Sequence, residues 1–431
     1  MYDLGIENGY VYLDGSFHQL NLYIKNEKIS ALTQEKPECT KKINADGKYV
    51  LPGFIDPHVH FELGVGQNIS RDDFYSGSVE AVLGGVTTYI DFLDPVKRAF
   101  EIEEAFEIRN QLAEKSMIDY SFHATLANPT DSAMDIIRKC KKFGINSIKL
   151  FTTYADTDRR TYDKEIYSLL KVSKEEGAII VVHAESDDML DKRKDILVMD
   201  HEKSRPVISE NIEVMKLATL ARKTGGNLYI VHVSAGSSVK LLKEGFSEEL
   251  RKQKIILESC PHYFLLNSDC LMREDGYKYT MTPPIRVEEE RILLNRYRDF
   301  ISTIGTDHCP YTMEQKKHAF TSQIPMGIGG IRYSFLNMYQ EYEFSILDKF
   351  TGAPAKAYGL KQKGSLIPGK DADVTIFDPG AKTYVVDKMS VYDNKVLEGS
   401  IETVLSRGAV AASHGEVFPH KGNYIRRGEI R

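Results

Sequence analysis

Tryptophan is absent from this 431-residue chain. No uninterrupted apolar run approaches the roughly 18 residues that a membrane span needs, and mean hydropathy is −0.33. Cysteine is sparse. Cys39, Cys140, Cys260, Cys270 and Cys309 are scattered, no two stand in CxxC spacing, and five is an odd number. A disulfide framework and a cysteine-based zinc knot are thereby disfavoured. A basic excess is also missing. Lys and Arg total 56 against 62 Asp and Glu, a formal charge of −6, so the field expected of a nucleic-acid binder is not there. The opening segment MYDLGIENGYVYLDG carries acids and glycines where a signal peptide would carry lysines and then leucines. The expected location is the cytoplasm, with neither nucleic acid nor membrane as partner. No internal repeat, low-complexity tract or long charge block is evident.

The length suits one large domain plus a smaller one. The first fifty residues read as short strands: Gly9 to Leu13 before the Asp14-Gly15 turn, then Leu22-Tyr23-Ile24. Asp373 to Phe377, Ser400 to Leu405 and Ala409 to Ala412 read the same way. Residues 1–50 plus 365–431 are therefore expected to pair into one small β domain, with 51–364 inserted between them. That middle segment repeats short apolar β-type runs: Phe54-Ile55, Thr88 to Ile90, Tyr120 to Phe122, Ser147-Ile148, Ala178 to Val182, Leu228 to Val231, Ile255 to Leu257 and Ile301 to Ile304. Amphipathic helical patterns separate most of them. Tyr162 to Glu176, for example, stripes Ile166, Leu169, Leu170 and Val172 before a terminating Gly177. Eight such strands alternating with helices predict an α/β fold of the (β/α)8 barrel type. A doubly wound open sheet is the competitor, weakened because no dinucleotide-type glycine fingerprint follows the first strand.

Polar residues recur where these runs stop. His58 and His60 follow the first, Lys149 the fourth, His183 the fifth, His232 the sixth and Asp307 the eighth. In a barrel these strand ends share one mouth, where active sites are built. Residues i and i+2 of a strand face the same side, so both histidines of the HxH pair can reach one ion. Taken singly, each residue has an ordinary reading as a hydrogen-bonded histidine or a capping carboxylate. Four histidines and an aspartate in equivalent positions instead point to a divalent ion such as zinc. Lys149 does not fit that set directly, because an ammonium has no lone pair. It must snorkel to the surface, be paired, or be converted into an acceptor.

With these motifs assembled, the chain resembles the cyclic amidohydrolases of the amidohydrolase superfamily: hydantoinases and dihydropyrimidinases, allantoinases and dihydroorotases. The resemblance runs along essentially the whole length. It is carried by Leu51-Pro-Gly-Phe-Ile-Asp-Pro-His-Val-His60, Gly84 to Phe92, His183-Ala-Glu185, Ser204-Arg-Pro206, Glu258-Ser-Cys-Pro-His-Tyr263, Thr282-Pro-Pro-Ile-Arg286, Gly305-Thr-Asp-His-Cys-Pro310 and Gly364 to Asp373. It implies a barrel with a small β-sandwich domain made from both termini. It also implies a binuclear centre, usually zinc: His58, His60 and Asp307 on one ion, His183 and His232 on the other, and a carboxylated Lys149 bridging both. A metal-bridging hydroxide would attack the ring carbonyl, with Asp307 carrying the proton and Tyr154 donating to the oxyanion. Thr282 and Met326 match substrate-contacting positions. Homodimers or homotetramers are usual in such families.

The motifs divide on which cyclic ureide is opened. Tyr154, Tyr89-Ile-Asp-Phe92 and Ile324-Pro-Met-Gly327 resemble the hydantoinase and dihydropyrimidinase branch. Pro261-His-Tyr-Phe and Gly359 to Asp373 are similar to allantoinase, the alternative, with dihydroorotase third. Dihydroorotases carry an arginine soon after HxH, where this chain has Phe61 and Glu62, an acid expected to repel an anionic ring. Met326 stands where asparagine is usual, Thr282 where serine is usual, and Arg332 where an acid is usual. Arg332 is expected to pair structurally. A non-catalytic dihydropyrimidinase-like protein is disfavoured because every ligand position is filled.

Overall fold

The computed structural model describes residues 1–429. Its centre is one eight-stranded parallel sheet wound through Phe54–Asp56, Val86–Phe92, Asp119–Thr125, Ser147–Phe151, Ile179–His183, Leu228–Ile230, Ile255–Ser259 and Thr303–Ile304 in chain order. These are the eight runs read from the sequence. Every residue in them is buried except Phe151, which is half-buried. Burial on both faces explains why they read as apolar runs rather than alternating patterns. A parallel bridge between Val59 and His308 joins the first strand to the eighth, so the sheet closes into a (β/α)8 barrel. Asp56 reinforces the seam: its carboxylate accepts from the backbone N–H groups of His58 and Thr306, each at 3.1 Å, and from the Thr306 hydroxyl.

The helix expected from Tyr162 spans Asp163–Glu176, and Gly177 closes it at φ 63. Ile166, Leu169 and Leu170 are buried as expected, whereas Val172 is only half-buried and Ser173 takes the inward position. The Ser173 hydroxyl donates to the Leu170 carbonyl and accepts from Asn227 N–H, so a polar residue is satisfied there.

Two further sheets pack face to face beside the barrel. One is four-stranded, from Tyr2–Glu7, Asn21–Lys25, Lys28–Thr33 and Cys39–Asn44. The other is seven-stranded and draws on both chain ends. Tyr49–Pro52 lies between Tyr10–Leu13 and Val374–Tyr384, and Val396–Ser406 and Ala409–Ser413 continue the sheet. Leu4, Ile6, Leu22 and Ile24 of the first sheet share a core with Val11, Val50, Val374, Ile376 and Leu405 of the second. Pro379-Gly380 falls inside a strand, and the ladder slips there between Asp378 and Lys382, as a proline in a sheet requires.

Asp119, Asp371 and Asp373 cluster at the junction, tightly enough to hold a cation. That cation is Lys363, whose buried ammonium lies 2.5, 2.9 and 2.7 Å from their oxygens. Arg407 adds a second positive charge on Asp119. The three carboxylates are therefore neutralised from within the chain. Among the described residues, no helix is long and apolar enough to cross a membrane.

Candidate metal centre

The polar residues at the barrel mouth come together as their strand-end positions predict. His58 and His60 extend just beyond the first strand, and Val59 between them makes the closing bridge. Their backbones are held by the segment after the eighth strand: Asp307 N–H donates to the His58 carbonyl, and His60 N–H to the His308 carbonyl, both at 2.9 Å. Both imidazoles consequently face one carboxylate. Nε2 of His58 and of His60 lie 3.2 and 3.0 Å from Asp307 Oδ1. On the other side of the mouth, His183 Nδ1 faces His232 Nε2 at 3.0 Å. The His58 and His232 rings, 5.5 Å apart, connect the two halves.

Lys149 projects between them from the fourth strand, paired in register with Thr125 on one side and Val181 on the other. It is buried, with Nζ 5.2 Å from the centre of the Phe92 ring and 5.4 Å from that of Phe151. Among the described residues it makes no hydrogen bond or ion pair. Burial pulls its pKa down to about 8, even though the nearby charges of Asp307 and Glu258 favour the ammonium. Burial works in the opposite sense on Asp307, but its interactions with His58, His60 and Lys149 outweigh it, and the carboxyl sits well below the usual range.

A second layer fixes the histidines. Glu258 Oε1 lies 2.7 Å from His58 Nδ1, and Glu185 Oε2 lies 2.6 Å from His183 Nε2. Glu185, held ionised by Arg205, accepts, so His183 carries its proton on Nε2. Burial raises the Glu258 pKa to about 8, and a bound cation would favour its carboxylate form with the His58 proton on Nδ1. The remaining lone pairs point inward, as in carboxylate–histidine–metal arrangements. His58 Nε2 is buried with no hydrogen-bond partner, an arrangement that a bound cation would satisfy. Imidazole nitrogens and a carboxylate oxygen are donors suited to zinc and related ions, and the residues present fit such ions. Burial also drives the His58 and His232 pKa values far below normal, which keeps both imidazoles neutral and able to ligate. Glu185 and Glu258 lie inside sequence motifs named above, but the motifs alone assign neither residue a role. For Glu185, the His-x-Glu spacing on one strand face was a usable signal. For Glu258, 200 residues from His58, the only signal was an acid inside an apolar strand.

Tyr154 lies on the loop after the fourth strand. Asp187 pins that loop, with Oδ1 accepting from Tyr154 N–H at 2.9 Å and from the Thr153 hydroxyl at 3.1 Å. The Tyr154 hydroxyl reaches Thr282 Oγ1 at 2.9 Å, and the Arg205 guanidinium stacks 5.5 Å from its ring centre. Arg205 in turn donates to Glu185, so one charged chain links the tyrosine to the His183 imidazole. Tyr154, His232 and Asp307 all have positive φ, at 68, 39 and 51°. Each such non-glycine residue costs about 1–3 kcal/mol, and strain of this kind concentrates at functional sites.

All nine residues singled out from the sequence line one cavity of about 440 Å³: His58, His60, Lys149, Tyr154, His183, His232, Thr282, Asp307 and Met326. Glu62 does not line it. Its side chain pairs instead with Lys115 at 3.0 Å, so the expected repulsion of an anionic ring does not come from this acid. Arg332 also lies outside the cavity, pairing with Glu80 at 3.3 Å.

The comparisons with known proteins converge. The family model described as "Amidohydrolase family" matches residues 49–411. A D-hydantoinase of Ralstonia pickettii is 30% identical over 456 aligned positions, covering 99% of each chain. Among solved structures, the D-hydantoinase (dihydropyrimidinase) of a Thermus species superposes with a TM-score of 0.91 at 30% identity, covering 99% of each chain. The L-hydantoinase (dihydropyrimidinase) of Arthrobacter aurescens gives 0.88 at 26%, covering 98% of this chain and 99% of its own.

Proposed function

Because the chain belongs to the amidohydrolase family, we propose that it is a metal-dependent hydrolase that opens cyclic amides and ureides of the hydantoin and dihydropyrimidine type. The observation that carries this reading is the convergence, on one cavity, of six ligand-type residues from five strand ends. Two divalent ions, zinc by donor type, would be held by His58, His60 and Asp307 and by His183 and His232, with a carboxylated Lys149 shared between them. When bound, such ions lower the pKa of water and polarise a carbonyl. The catalytic unit is residues 51–364, with 1–50 plus 365–431 as the small β domain. The substrate is a small cyclic ureide handled in the cytoplasm by a homodimer or homotetramer.

The chain's own residues supply the rest. Asp307 is ionised and faces the histidines. It takes the proton of the attacking water and delivers it to the ring nitrogen as the C–N bond breaks. Tyr154 is half-buried, and desolvation raises its pKa, so it stays protonated and able to donate. It is aimed across the cavity floor at Thr282, where it can turn to the developing oxyanion. Thr282 and Met326 hold the ring's amide edge through their backbones.

Removing the tyrosine hydroxyl tests that role. Tyr154→Phe is expected to lower kcat by about 10²–10³, the usual cost of one oxyanion donor, with metal content unchanged. A kcat that stays near wild type would remove Tyr154 from the chemistry. The reaction itself is tested by steady-state kinetics on hydantoin, dihydrouracil, allantoin and dihydroorotate with zinc and bicarbonate supplied. The expected ranking by kcat/KM places hydantoin or dihydrouracil first. A clear preference for allantoin would reassign the substrate, and turnover of none would reject the reading.

A further inference from the structure

Lys316 lies outside the metal centre, at the end of the short helix Met313–Lys316. It is 1% exposed, and no carboxylate lies within ion-pairing distance among the described residues. Its ammonium instead donates to three backbone carbonyls: Thr280 at 2.7 Å, Gly327 at 2.8 Å and Pro325 at 3.3 Å. An ammonium has three N–H donors, so all three are used. Burial pulls the pKa down to about 7, and the three carbonyl acceptors favour the charged form. Burying a cation without a counter-ion is costly, and an aliphatic side chain would fill the same space more cheaply. The fold therefore retains an expensive group at this place.

The three carbonyls show what the cost achieves. They belong to two chain segments far apart in sequence, and Gly327 N–H also donates to the Thr280 carbonyl at 3.2 Å. The first segment leads to Thr282, whose hydroxyl meets Tyr154. The second brackets Met326, with Pro325 and Gly327 on either side, and all of these residues line the cavity. The intervening Met281 carbonyl is held separately by His201 Nε2 at 2.8 Å. Lys316 thus fastens, from behind, the two backbone stretches that face the ring.

We propose that Lys316 is a positioning residue for substrate recognition: its ammonium sets the spacing and carbonyl orientation of the Thr282 and Met326 segments, which grip the amide edge of a cyclic ureide. This rests on the proposed function. The residue does not touch the substrate, and its effect is felt in ring binding more than in bond breaking.

The test is kinetic, on the full chain loaded with zinc and bicarbonate, using hydantoin and dihydrouracil as probes. Lys316→Met keeps the length and removes all three donors. It is expected to raise KM about tenfold or more, the size of one lost charge-assisted hydrogen-bond set, while kcat stays within about threefold. Both metals should remain by elemental analysis. Lys316→Gln keeps two donors and should fall between the mutant and wild type. An unchanged KM in both variants, a fall in kcat at constant KM, or loss of metal would overturn the role. Failure of both variants to give soluble protein would make Lys316 a purely structural residue and overturn it equally. A wild-type chain that opens neither ring rejects the proposed function and this inference together. A wild type that turns over while both variants keep its KM rejects this inference alone.

Discussion

A Lys149→Ala chain is expected to hold fewer than two metal ions and to lose ring opening altogether. The argument starts from the surroundings of the amine. Lys149 is buried among Phe92, Phe151 and the histidines, with no acceptor for its protons among the described residues. An ammonium in that position would repel the divalent ions proposed to sit among His58, His60, His183 and His232. The conflict disappears if the amine nitrogen attacks the carbon of CO2 and gives up a proton. The product is a carbamate, which is an anion with oxygen donors. Alanine removes that donor from between the two histidine pairs and leaves a gap lined by aromatic rings. A short-chain carboxylic acid can enter the gap, so acetate or propionate should restore part of the metal loading and part of the activity. Elemental analysis alongside hydantoin turnover checks this. A Lys149→Ala chain with two ions and full activity would remove the shared-ligand role.

Asp307→Asn should be nearly as damaging, for a different reason. The amide cannot take and return a proton, which alone is expected to cost about 10²–10⁴ in kcat. It also replaces an anionic group by a neutral one opposite His58 and His60. The backbone argument makes asparagine the informative choice. Asp307 sits at φ 51°, a left-handed conformation that asparagine tolerates and alanine does not. The fold should survive, and a thermal melt close to wild type would show it. A variant that melts normally yet keeps kcat within about tenfold of wild type would contradict the proton-carrier role.

The parts of this molecule that were legible from sequence share a physical cause. Barrel strands buried on both faces read as apolar runs, and a polar residue ending such a run stands out against them. That is why His58, His60, Lys149, His183, His232 and Asp307 were visible one by one. What surrounds them was not visible, because it depends on pairings across the barrel. Glu258 orients His58 from 200 residues away, and Arg205 reaches Glu185 and the Tyr154 ring from another loop. Lys316 reads as one more surface lysine on a polar helix, until two distant segments supply its three carbonyls. The reverse error occurred at Glu62. Adjacency to the HxH pair suggested that it faced the ring, but the chain turns there at φ 50° and delivers the side chain to Lys115. In the terminal sheets, strand existence was local and readable. The insertion of Tyr49–Pro52 between Tyr10–Leu13 and Val374–Tyr384 is a nonlocal pairing that no pattern encodes.

The central claim is that a two-metal site at the barrel mouth opens a cyclic ureide. Its most direct test is hydantoin ring opening, followed by loss of ultraviolet absorbance, in chain stripped by a chelator and then titrated with zinc in bicarbonate buffer. Turnover absent from the stripped chain and rising to a plateau at two zinc ions per chain is the predicted result. Full turnover without metal, or none at two ions per chain, would contradict it.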